Sequence, residues 1–361
     1  MPEIKIRAEK SDDYDAILKL TYDAFLTLDY SDRQRIDEHF LIKLLRGSKS
    51  VIQDLCFVAE VDGEIAGHIL YTKSKIIHDD NTETETITFG PLSVAQKYQR
   101  QGVGSALVFH SIEAAKELGF GAVLIVGVPD YYPKLGFKRA AKFGLTLEDE
   151  TAPDAFMAYE ILPGYLNKSG KLKFLATEFE LCEEVGEEYT QFHEQFMKKY
   201  FPNQLKLRPF WGCDIALMER WLYTPHIAKW YEHPEDWLNE LKNRNGEFSF
   251  ISHFIAEFEG KPIGFGQYYD CFLARQYEAW SEEQKVGEKQ GDIFSIDYLI
   301  GEVEYLQKGF GKEIVRFLTE RVEKLGAGRI IVQPDEENEA SQRTLTANGY
   351  RHSDGCFVKE F

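Results

Sequence analysis

Two stretches of the sequence occur twice in the same order, and this internal repeat limits the possible fold more than any other feature. Residues 57–67 contain an apolar run, an Asp-Gly turn and a second run, and they recur at residues 254–264 with Glu-Gly at the turn. Residues 101–107, which carry Gly-x-Gly, recur at residues 308–314. Ordered repeats indicate duplicated structural units. We therefore expect two copies of one domain.

Each copy follows the same order of predicted elements. A short alternating strand precedes an Asp and a helical pattern, and the repeated stretch with the Asp-Gly or Glu-Gly turn is typical of a β-hairpin. A strand then leads into Gly-x-Gly and an amphipathic helix, and an apolar strand follows. Strands that alternate with helices predict an α/β fold. The paired segments are residues 4–7 and 205–208 at the start, 122–126 and 329–332 for the apolar strand, and Gly136-Phe137 and Gly349-Tyr350 at the end.

The length of 361 residues suits two domains, at roughly 150 residues per domain. We place the first domain at residues 1–178 and the second at residues 204–361. Residues 179–203 carry a helical pattern over residues 183–199, closed by Pro202-Asn203, and contain no flexible Gly/Ser run. This pattern predicts a connecting helix that packs on one domain. The second copy is longer than the first, and we place its extra length at residues 268–291.

Composition excludes several classes of function. The net charge is −18 and no basic block interrupts it, which argues against nucleic acid as a partner. The five cysteines are scattered without a C-x-x-C pair, which argues against a disulfide framework and against a metal site. The start of the chain has no apolar signal core, and no apolar run approaches the roughly 18 residues that span a membrane. We expect a cytoplasmic protein that does not act at a membrane.

The Gly-x-Gly segments predict anion-binding loops. N–H groups in the first turn of a helix have no intrahelical partner, and they favour a phosphate or pyrophosphate. Neither copy has the G-K-[ST] of a P-loop, and Leu107 and Ile314 stand where the dinucleotide-binding fingerprint needs a third Gly. The pattern that remains in the first copy is L-x-V, then Q-x-x-G-x-G from Gln99, then Y-x-x-x-G-F.

This pattern resembles the GNAT superfamily of acyl-CoA-dependent N-acetyltransferases. The first copy is similar to predicted acetyltransferases, on GPLSV at residues 90–94 and YYPKLGF at residues 131–137. The second copy is similar to the branch of aminoglycoside 6′-N-acetyltransferases and siderophore acetylases, on RWLYTPHI at residues 220–227 and IDYLIGE at residues 296–302. The resemblance implies an α/β fold of two such domains, each with a mixed central sheet, a splayed strand pair and flanking helices.

The resemblance also implies acetyl-CoA as the cofactor, with pantetheine on strand backbone and pyrophosphate on the glycine loop. The family's leading Gln or Arg is Leu306 in the second copy, so one polar contact is missing there. In the first domain the implied cofactor residues are Leu92, Ser93, Val94, Gln99, Arg100, Gln101, Gly102, Val103 and Gly104. In the second domain they are Leu299, Ile300, Lys308, Gly309, Phe310, Gly311, Lys312 and Asn338.

Two residues match catalytic positions of the family. Tyr132, four residues before Gly136, matches the Tyr that faces the CoA sulfur, although an ordinary packed aromatic is the alternative. Asp297 matches an Asp beside the acceptor cleft that could orient or deprotonate an amine, with a solvated turn carboxylate as the alternative. The second domain has Leu345 where the first has Tyr132.

Other departures concern the acceptor. Gln333-Pro334 replaces the Asp-Pro that is common in the aminoglycoside branch, which weakens the case for an aminoglycoside. Glu60 and His68 in the first domain are better explained as structural than as a general base. Aromatic and acidic residues in the longer segment either stack on an acceptor or cover a core: Tyr268, Tyr269, Trp280, Glu282 and Glu283.

The function that these residues imply is transfer of acetyl from acetyl-CoA to a primary amine of a small molecule, with aminoglycoside-like and polyamine-like amines as the candidates. The alternative is that one or both domains bind acyl-CoA without catalysis, as a sensor or a scaffold. Leu306 and Leu345 favour this alternative for the second domain.

Overall fold

The computed structural model describes residues 3–26, 37–179, 186–275, 289–353 and 355–361. The chain forms two compact units, and the division falls between Thr190 and Gln191. Each unit is described by itself.

The described residues of the first unit form a nine-stranded sheet in the order β1-β2-β3-β4-β5-β8-β6, with β9 paired to β3 and β7. The strands are β1 Lys5–Ala8, β2 Phe57–Val61, β3 Glu64–Ile77, β4 Glu83–Val94, β5 Ala122–Val126, β6 Lys138–Arg139, β7 Leu145–Thr146, β8 Phe156–Glu160 and β9 Gly170–Phe174. The helices are α1 Tyr14–Leu26, α2 Glu38–Leu45 and α3 Val103–Glu117. Helix α4, Glu187–Tyr200, crosses the division between the units.

The described residues of the second unit form a seven-stranded sheet in the order β10-β11-β12-β13-β14-β16-β15. The strands are β10 Leu205–Pro209, β11 Ile251–Phe258, β12 Lys261–Asp270, β13 Ile293–Ile300, β14 Arg329–Val332, β15 Arg351–Ser353 and β16 Cys356–Glu360. The helices are α5 Ile215–Leu222, α6 Pro225–Ala228, α7 Pro234–Lys242, α8 Cys271–Ala274, α9 Phe310–Lys324 and α10 Glu339–Ala347.

The hairpins predicted from the repeat are confirmed in both units. Strands β2 and β3 pair antiparallel, and so do β11 and β12. The turn residues Asp62 and Gly63 have φ of 51° and 80°, and Glu259 and Gly260 have φ of 50° and 82°. Two consecutive positive φ angles define the tight turn whose twist matches a hairpin, and the second position suits Gly because it lacks a β-carbon.

Both sheets are mixed, and each contains a parallel pair that separates along its length. Strand β4 pairs with β5 only at Ile87 and Val123, although β4 continues to Val94. Strand β13 pairs with β14 at Ile293 and Phe294 and then continues to Ile300. The mixed sheets with flanking helices and splayed strands that the resemblance implied are therefore confirmed. The ends of β4 and β13 present backbone groups to an opening in the sheet.

The helix after each glycine loop packs closely on its sheet. A β-carbon on Gly67 of β3 would come within 2.9 Å of side-chain atoms of Val103 and Leu107 in α3. A β-carbon on Gly266 of β12 would come within 3.0 Å of Ile314 and Leu318 in α9. Close packing fixes the start of each helix beside the opening. In the second unit α5, α6 and α7 cover the opposite face, with Trp221, Leu222 and Leu241 fully buried there.

Two expectations about the linking segments need correction. Helix α4 begins at Glu187, since Gly186 is not helical, whereas the sequence pattern predicted a start near residue 183, outside the described residues. Tyr268 and Tyr269 lie in strand β12, so the extra length of the second unit begins after Asp270. Trp280, Glu282 and Glu283 lie outside the described residues. Among the described residues, every helix is too short or too polar to cross a bilayer.

Candidate active site

The two glycine loops have the same backbone conformation. Arg100 has φ of 58° and Gly102 has φ of 91°, and the matching Gln307 and Gly309 have φ of 59° and 87°. A short 3-10 helix precedes each loop, Gln96–Tyr98 in the first unit and Val303–Tyr305 in the second. The helix starts directly after the glycine in both, at Val103 and at Phe310. The loops are structural duplicates despite their different sequences.

The geometry of each loop suits an anion. Gly102 and Gly309 are the N-caps, and neither helix start has a side-chain cap. A β-carbon on either glycine would meet no atom within 4 Å, so the space over the cap is open. First-turn N–H groups and the helix dipole favour negative charge there. Exposed cations accompany the loops: Arg100 in the first, and Lys308 and Lys312 in the second.

The ends of β4 and β13 turn carbonyl groups toward the opening. Gly301 N–H donates to Ile263 C=O of β12 at 2.9 Å. Backbone groups alternate in direction along a strand, so the carbonyls of Tyr298 and Ile300 point away from β12, toward the side on which β14 lies. Tyr231 Oη donates to the carbonyl of Tyr298 at 2.8 Å, and His226 Nε2 donates to that of Ile300 at 3.0 Å. Side chains of the second unit therefore already engage this strand edge.

The first unit differs at the matching edge. The carbonyl of Val94 accepts a hydrogen bond of 3.2 Å from Gln99 Nε2, so the loop's own side chain ties the loop to β4. Leu306 cannot make the equivalent bond in the second unit. Ser93 is buried and donates to Thr21 Oγ1 of α1 at 3.0 Å. Its side chain is thus committed within the unit, and only its backbone remains for a ligand.

Tyr131 and Tyr132 occupy different places in the first unit. A β-carbon on Gly104 would lie 2.8 Å from Tyr131 Oη, so this hydroxyl covers the first turn of α3. The ring of Tyr132 covers Gly127, directly after β5, at 2.4 Å from the position of a β-carbon. The Tyr132 ring also packs against Phe89 and Phe137 while staying half-buried. Both tyrosines therefore border the opening between β4 and β5.

Asp297 lies on strand β13, not in a turn, and is half-buried. Its partner across the sheet is Gln267 of β12, whose Nε2 donates to Asp297 Oδ2 at 3.0 Å. Burial raises the pKa of Asp297 to about 7, against the hydrogen bond from Gln267 and with the help of the charge of Glu240. A half-buried carboxyl whose pKa is raised toward neutrality is suited to general base catalysis.

The surroundings of Asp297 contain groups that sequence reasoning did not select. Gln267 is buried, and within the described part of the chain its Oε1 has no hydrogen-bond partner. Glu240 of α7 binds His253 Nε2 at 2.9 Å, and His253 pairs with Gln267 across β11 and β12. Tyr231 packs its ring on Trp237 at 4.8 Å. The in-register row of His253, Gln267 and Asp297 becomes recognisable only when the strand pairing is known.

Other predicted positions of the second unit are placed as follows. Asn338 caps α10, with its side-chain oxygen accepting from Ser341 N–H at 3.1 Å. Leu345 is fully buried in the core. Leu299 is buried among the residues under α5 to α7, whereas Ile300 is half-buried. Phe310 packs on Phe258 at 4.8 Å.

In the first unit, Glu60 and His68, the positions that sequence reasoning weighed as a general base, are both bonded to neighbouring side chains. Glu60 accepts from Arg7 Nε at 2.7 Å. His68 is fully buried and its Nε2 bonds to Glu9 at 2.6 Å, and burial lowers the pKa of His68. Both have structural partners, in agreement with the sequence interpretation.

The architecture defines the class of protein. Two mixed α/β domains each carry a parallel strand pair that separates beside an uncapped, glycine-initiated helix. This combination is the framework of an acyl-CoA-binding transferase, and comparison with known proteins identifies the family.

Two family models match the chain. The model of the acetyltransferase (GNAT) family matches residues 16–137, and the model of the acetyltransferase (GNAT) domain matches residues 212–356. The chain is a tandem of two GNAT acetyltransferase domains. Acetyl-CoA is the acetyl donor of this family.

Several known proteins are similar to parts of this chain. The N-acetyltransferase YhbS of Escherichia coli strain K12 is 26% identical over 106 residues, which is 29% of this chain and 62% of that protein. Aminoglycoside N(6′)-acetyltransferase type 1 of Klebsiella pneumoniae is 28% identical over 128 residues, 33% of this chain and 59% of that protein. Each match spans less than two thirds of the relative. A crystal structure of E. coli YhbS in complex with CoA covers 52% of this chain and 95% of its own, with 23% identity and a TM-score of 0.43.

Proposed function

We propose that the second domain transfers acetyl from acetyl-CoA to a primary amine of a small molecule, with Asp297 as the general base. The observation that carries this proposal is the position of Asp297, a half-buried carboxylate on β13 whose Oδ2 accepts a hydrogen bond of 3.0 Å from Gln267 Nε2. Burial raises the pKa of Asp297 to about 7, in keeping with this role. When bound, acetyl-CoA supplies the acetyl thioester. The acceptor enters from the face that α5 to α7 cover.

Asp297 performs the proton transfer. An ammonium must lose a proton before its nitrogen can attack, and the base must be ionised to accept that proton. The hydrogen bond from Gln267 Nε2 holds Oδ2, which orients the carboxylate and leaves Oδ1 for the amine. Gln267 Oε1, which has no hydrogen-bond partner among the residues that the structure describes, offers the ammonium a second acceptor. Glu240 adds negative charge nearby, which favours a cationic acceptor.

The loop residues hold the cofactor. The backbone N–H groups of residues 309–312 would bind the pyrophosphate, with Lys308 and Lys312 adding positive charge. The strand backbone at residues 299–300 would hold the pantetheine, after His226 releases the Ile300 carbonyl. In the first domain residues 99–104 would hold pyrophosphate, and residues 92–94 would hold pantetheine.

A specific observation favours a second candidate function for the first domain. Its Glu60 and His68 are bonded to Arg7 and Glu9, and Ser93 is bonded to Thr21, so all three side chains are engaged within the domain. We propose that the first domain binds acyl-CoA and that its contribution to transfer depends on Tyr132 and a water base. Binding without transfer is the alternative role.

The test is acetylation of an amine panel by the full chain. We expect turnover with at least one cationic amine among aminoglycosides, polyamines, amino acids and peptide N-termini. Asp297→Asn should lower kcat/KM by roughly 100-fold to 10,000-fold, the usual contribution of a general base. Glu323→Gln, which removes an exposed carboxylate on α9, is the matched control and should not change turnover. Unchanged turnover in Asp297→Asn would show that the base assignment is wrong.

A further inference from the structure

We propose that Tyr298 is a further catalytic residue of the second domain, whose phenol donates a hydrogen bond to the sulfur that leaves during acetyl transfer. This inference rests on the proposed function of that domain, because it requires a thioester in the opening between β13 and β14. Tyr298 belongs neither to the glycine loop that would hold the cofactor nor to the proposed general base.

Tyr298 lies where the two parallel strands have separated. The pairing of β13 with β14 ends at Phe294 and Ile330, four residues before Tyr298. Its side chain is half-buried, so the ring is packed and still reachable. A tyrosine phenol is protonated at neutral pH and able to donate. Burial raises the pKa of Tyr298 further, so the phenol keeps its proton in alkaline solution as well.

The ring of Tyr298 spans the starts of two helices. Its Cε2 lies 3.5 Å from the position of a β-carbon on Gly311, in the first turn of α9. Its Oη donates to Ser341 Oγ at 3.1 Å, in the first turn of α10. The phenol thus sits between the predicted pyrophosphate loop and α10, and its neighbour Ser341 is a hydroxyl partner that can be exchanged for a ligand atom.

Asp297 and Tyr298 flank the opening from opposite faces. Neighbouring residues of a strand point to opposite sides of the sheet. Asp297 points to the face of α5 to α7, where Gln267 and Glu240 lie, and Tyr298 points to the face of α9 and α10. An amine deprotonated by Asp297 attacks the thioester from one face of the sheet. Tyr298 then provides a hydrogen-bond donor for the leaving sulfur on the other face.

Both domains place a tyrosine against the second glycine of the loop, but through different atoms: the hydroxyl lies against it in the first domain and a ring carbon in the second, where the hydroxyl reaches α10 instead. In the first domain it is Tyr131, which follows β5, with Oη at 2.8 Å from the β-carbon position of Gly104. In the second domain it is Tyr298 of β13 against Gly311. Leu345 in α10 is fully buried and supplies no hydroxyl, whereas Tyr298 brings one to the same helix.

The reaction balances as follows. The amine nitrogen gives one proton to Asp297 and attacks the thioester carbonyl, forming the C–N bond. The C–S bond breaks and its electron pair stays on the sulfur, which Tyr298 stabilises by donating its O–H. The second proton lost by the nitrogen ends on the sulfur, and Asp297 returns its proton to solvent. Tyr298 ends the cycle as a neutral phenol.

The test measures binding of CoA and of desulfo-CoA, which lacks the sulfur, by calorimetry. The full chain carries Gly104→Glu, which places a carboxylate in the first loop and leaves the second loop intact. Measurements at pH 7 and at pH 9.5 compare binding of the thiol with binding of a sample that contains a large share of thiolate. Tyr298→Phe is compared with Tyr268→Phe, a tyrosine of β12 that stacks on Phe254.

We expect Tyr298→Phe to weaken CoA binding at pH 9.5 by roughly tenfold, as loss of a hydrogen bond to a charged atom does. Binding of desulfo-CoA should not change, and Tyr268→Phe should change neither. An equal effect on both ligands, or no effect on either, would overturn the role of Tyr298 alone. If the Gly104→Glu chain binds no CoA, the proposed function of the second domain fails, and the inference fails with it.

Discussion

Arg208 donates its Nε–H to Glu257 Oε1 at 2.6 Å, inside the second domain. The corresponding bond in the first domain joins Arg7 to Glu60 at 2.7 Å. Each arginine also binds an aspartate six residues further on, through both of its terminal nitrogens. The same charge cluster therefore ties the first strand to the hairpin in both copies. Its environment differs, because the cluster is buried in the second domain and partly exposed in the first.

This difference in burial predicts that replacing the arginine by Met lowers the stability of the two domains by different amounts. Arg208→Met leaves the buried carboxylates of Asp214 and Glu257 without their cation, and should destabilise the second domain by about 3–5 kcal/mol. Arg7→Met removes a cluster that water reaches, and should cost about 1 kcal/mol or less. Chemical unfolding of the two variants, followed by far-ultraviolet circular dichroism, measures both effects, because every tryptophan of the chain lies in the second domain. Equal losses would mean that burial does not set the strength of the cluster.

Asp297 should make both activity and stability depend on pH. Activity needs the ionised carboxylate, so the rate should rise with pH through about 7 and then level off. Stability moves the other way. Because the folded pKa lies above the unfolded value of 3.8, the folded state binds more protons between these values, and stability falls as pH rises from about 4 to about 7.

Asp297→Asn should therefore stabilise the protein at pH 8 and have little effect at pH 4. The difference between 3.8 and about 7 corresponds to at most about 4 kcal/mol. Denaturant unfolding at both pH values tests this directly, with Glu323→Gln as the control. A variant that is less stable than the parent at pH 8 would contradict the proposed desolvation of Asp297.

Local patterns made the repeated parts of the fold predictable. The turn of Asp62 and Gly63 requires two positive φ angles, and an Asp-Gly sequence is typical of such a turn. The glycine loops, the following helices and the strands at residues 122–126 and 329–332 also have signals within a few residues of themselves. These elements were predicted because their causes are local.

The acceptor side of the second domain depends on long-range pairing, and the sequence could reveal only part of it. Asp297 was selected through the family motif, but its neighbour Gln267 comes from another strand and His253 from a third. Spacing in the sequence cannot predict that residues on three different strands are neighbours, because this depends on the register in which the strands pair. Tyr298 was missed because it stands beside a recognised residue and its role depends on which face it points to.

The bond between Gln99 and the carbonyl of Val94 predicts a reciprocal exchange between the two loops. Gln99→Leu gives the first domain the residue found in the second, and should weaken CoA binding there by roughly twofold to tenfold, the effect of one neutral hydrogen bond. Leu306→Gln should strengthen binding by the second domain by a similar factor. Calorimetry with CoA resolves the two sites when each variant is combined with a blocking Glu in the other loop, Gly311→Glu or Gly104→Glu. Opposite signs would show that the Gln does not support the loop.

The two neighbouring tyrosines of the first domain predict different defects. Tyr132 packs over Gly127 at the end of β5, whereas Tyr131 Oη covers Gly104 at the cofactor loop. In a chain whose second loop carries Gly311→Glu, Tyr132→Phe should lower kcat by roughly tenfold or more with little change in CoA affinity, since the ring remains and only the hydroxyl is lost.

Tyr131→Phe is the matched variant, and it should change CoA affinity more than kcat, because its hydroxyl faces the first turn of α3 and Ser105 at 3.4 Å. Steady-state kinetics with varied acetyl-CoA, together with calorimetry, separate these effects. If the two variants behave alike, the tyrosines do not divide the roles of binding and proton donation. If the Gly311→Glu chain shows CoA binding but no turnover, the first domain binds acyl-CoA without transferring its acetyl group, and Tyr132 serves the packing of the opening.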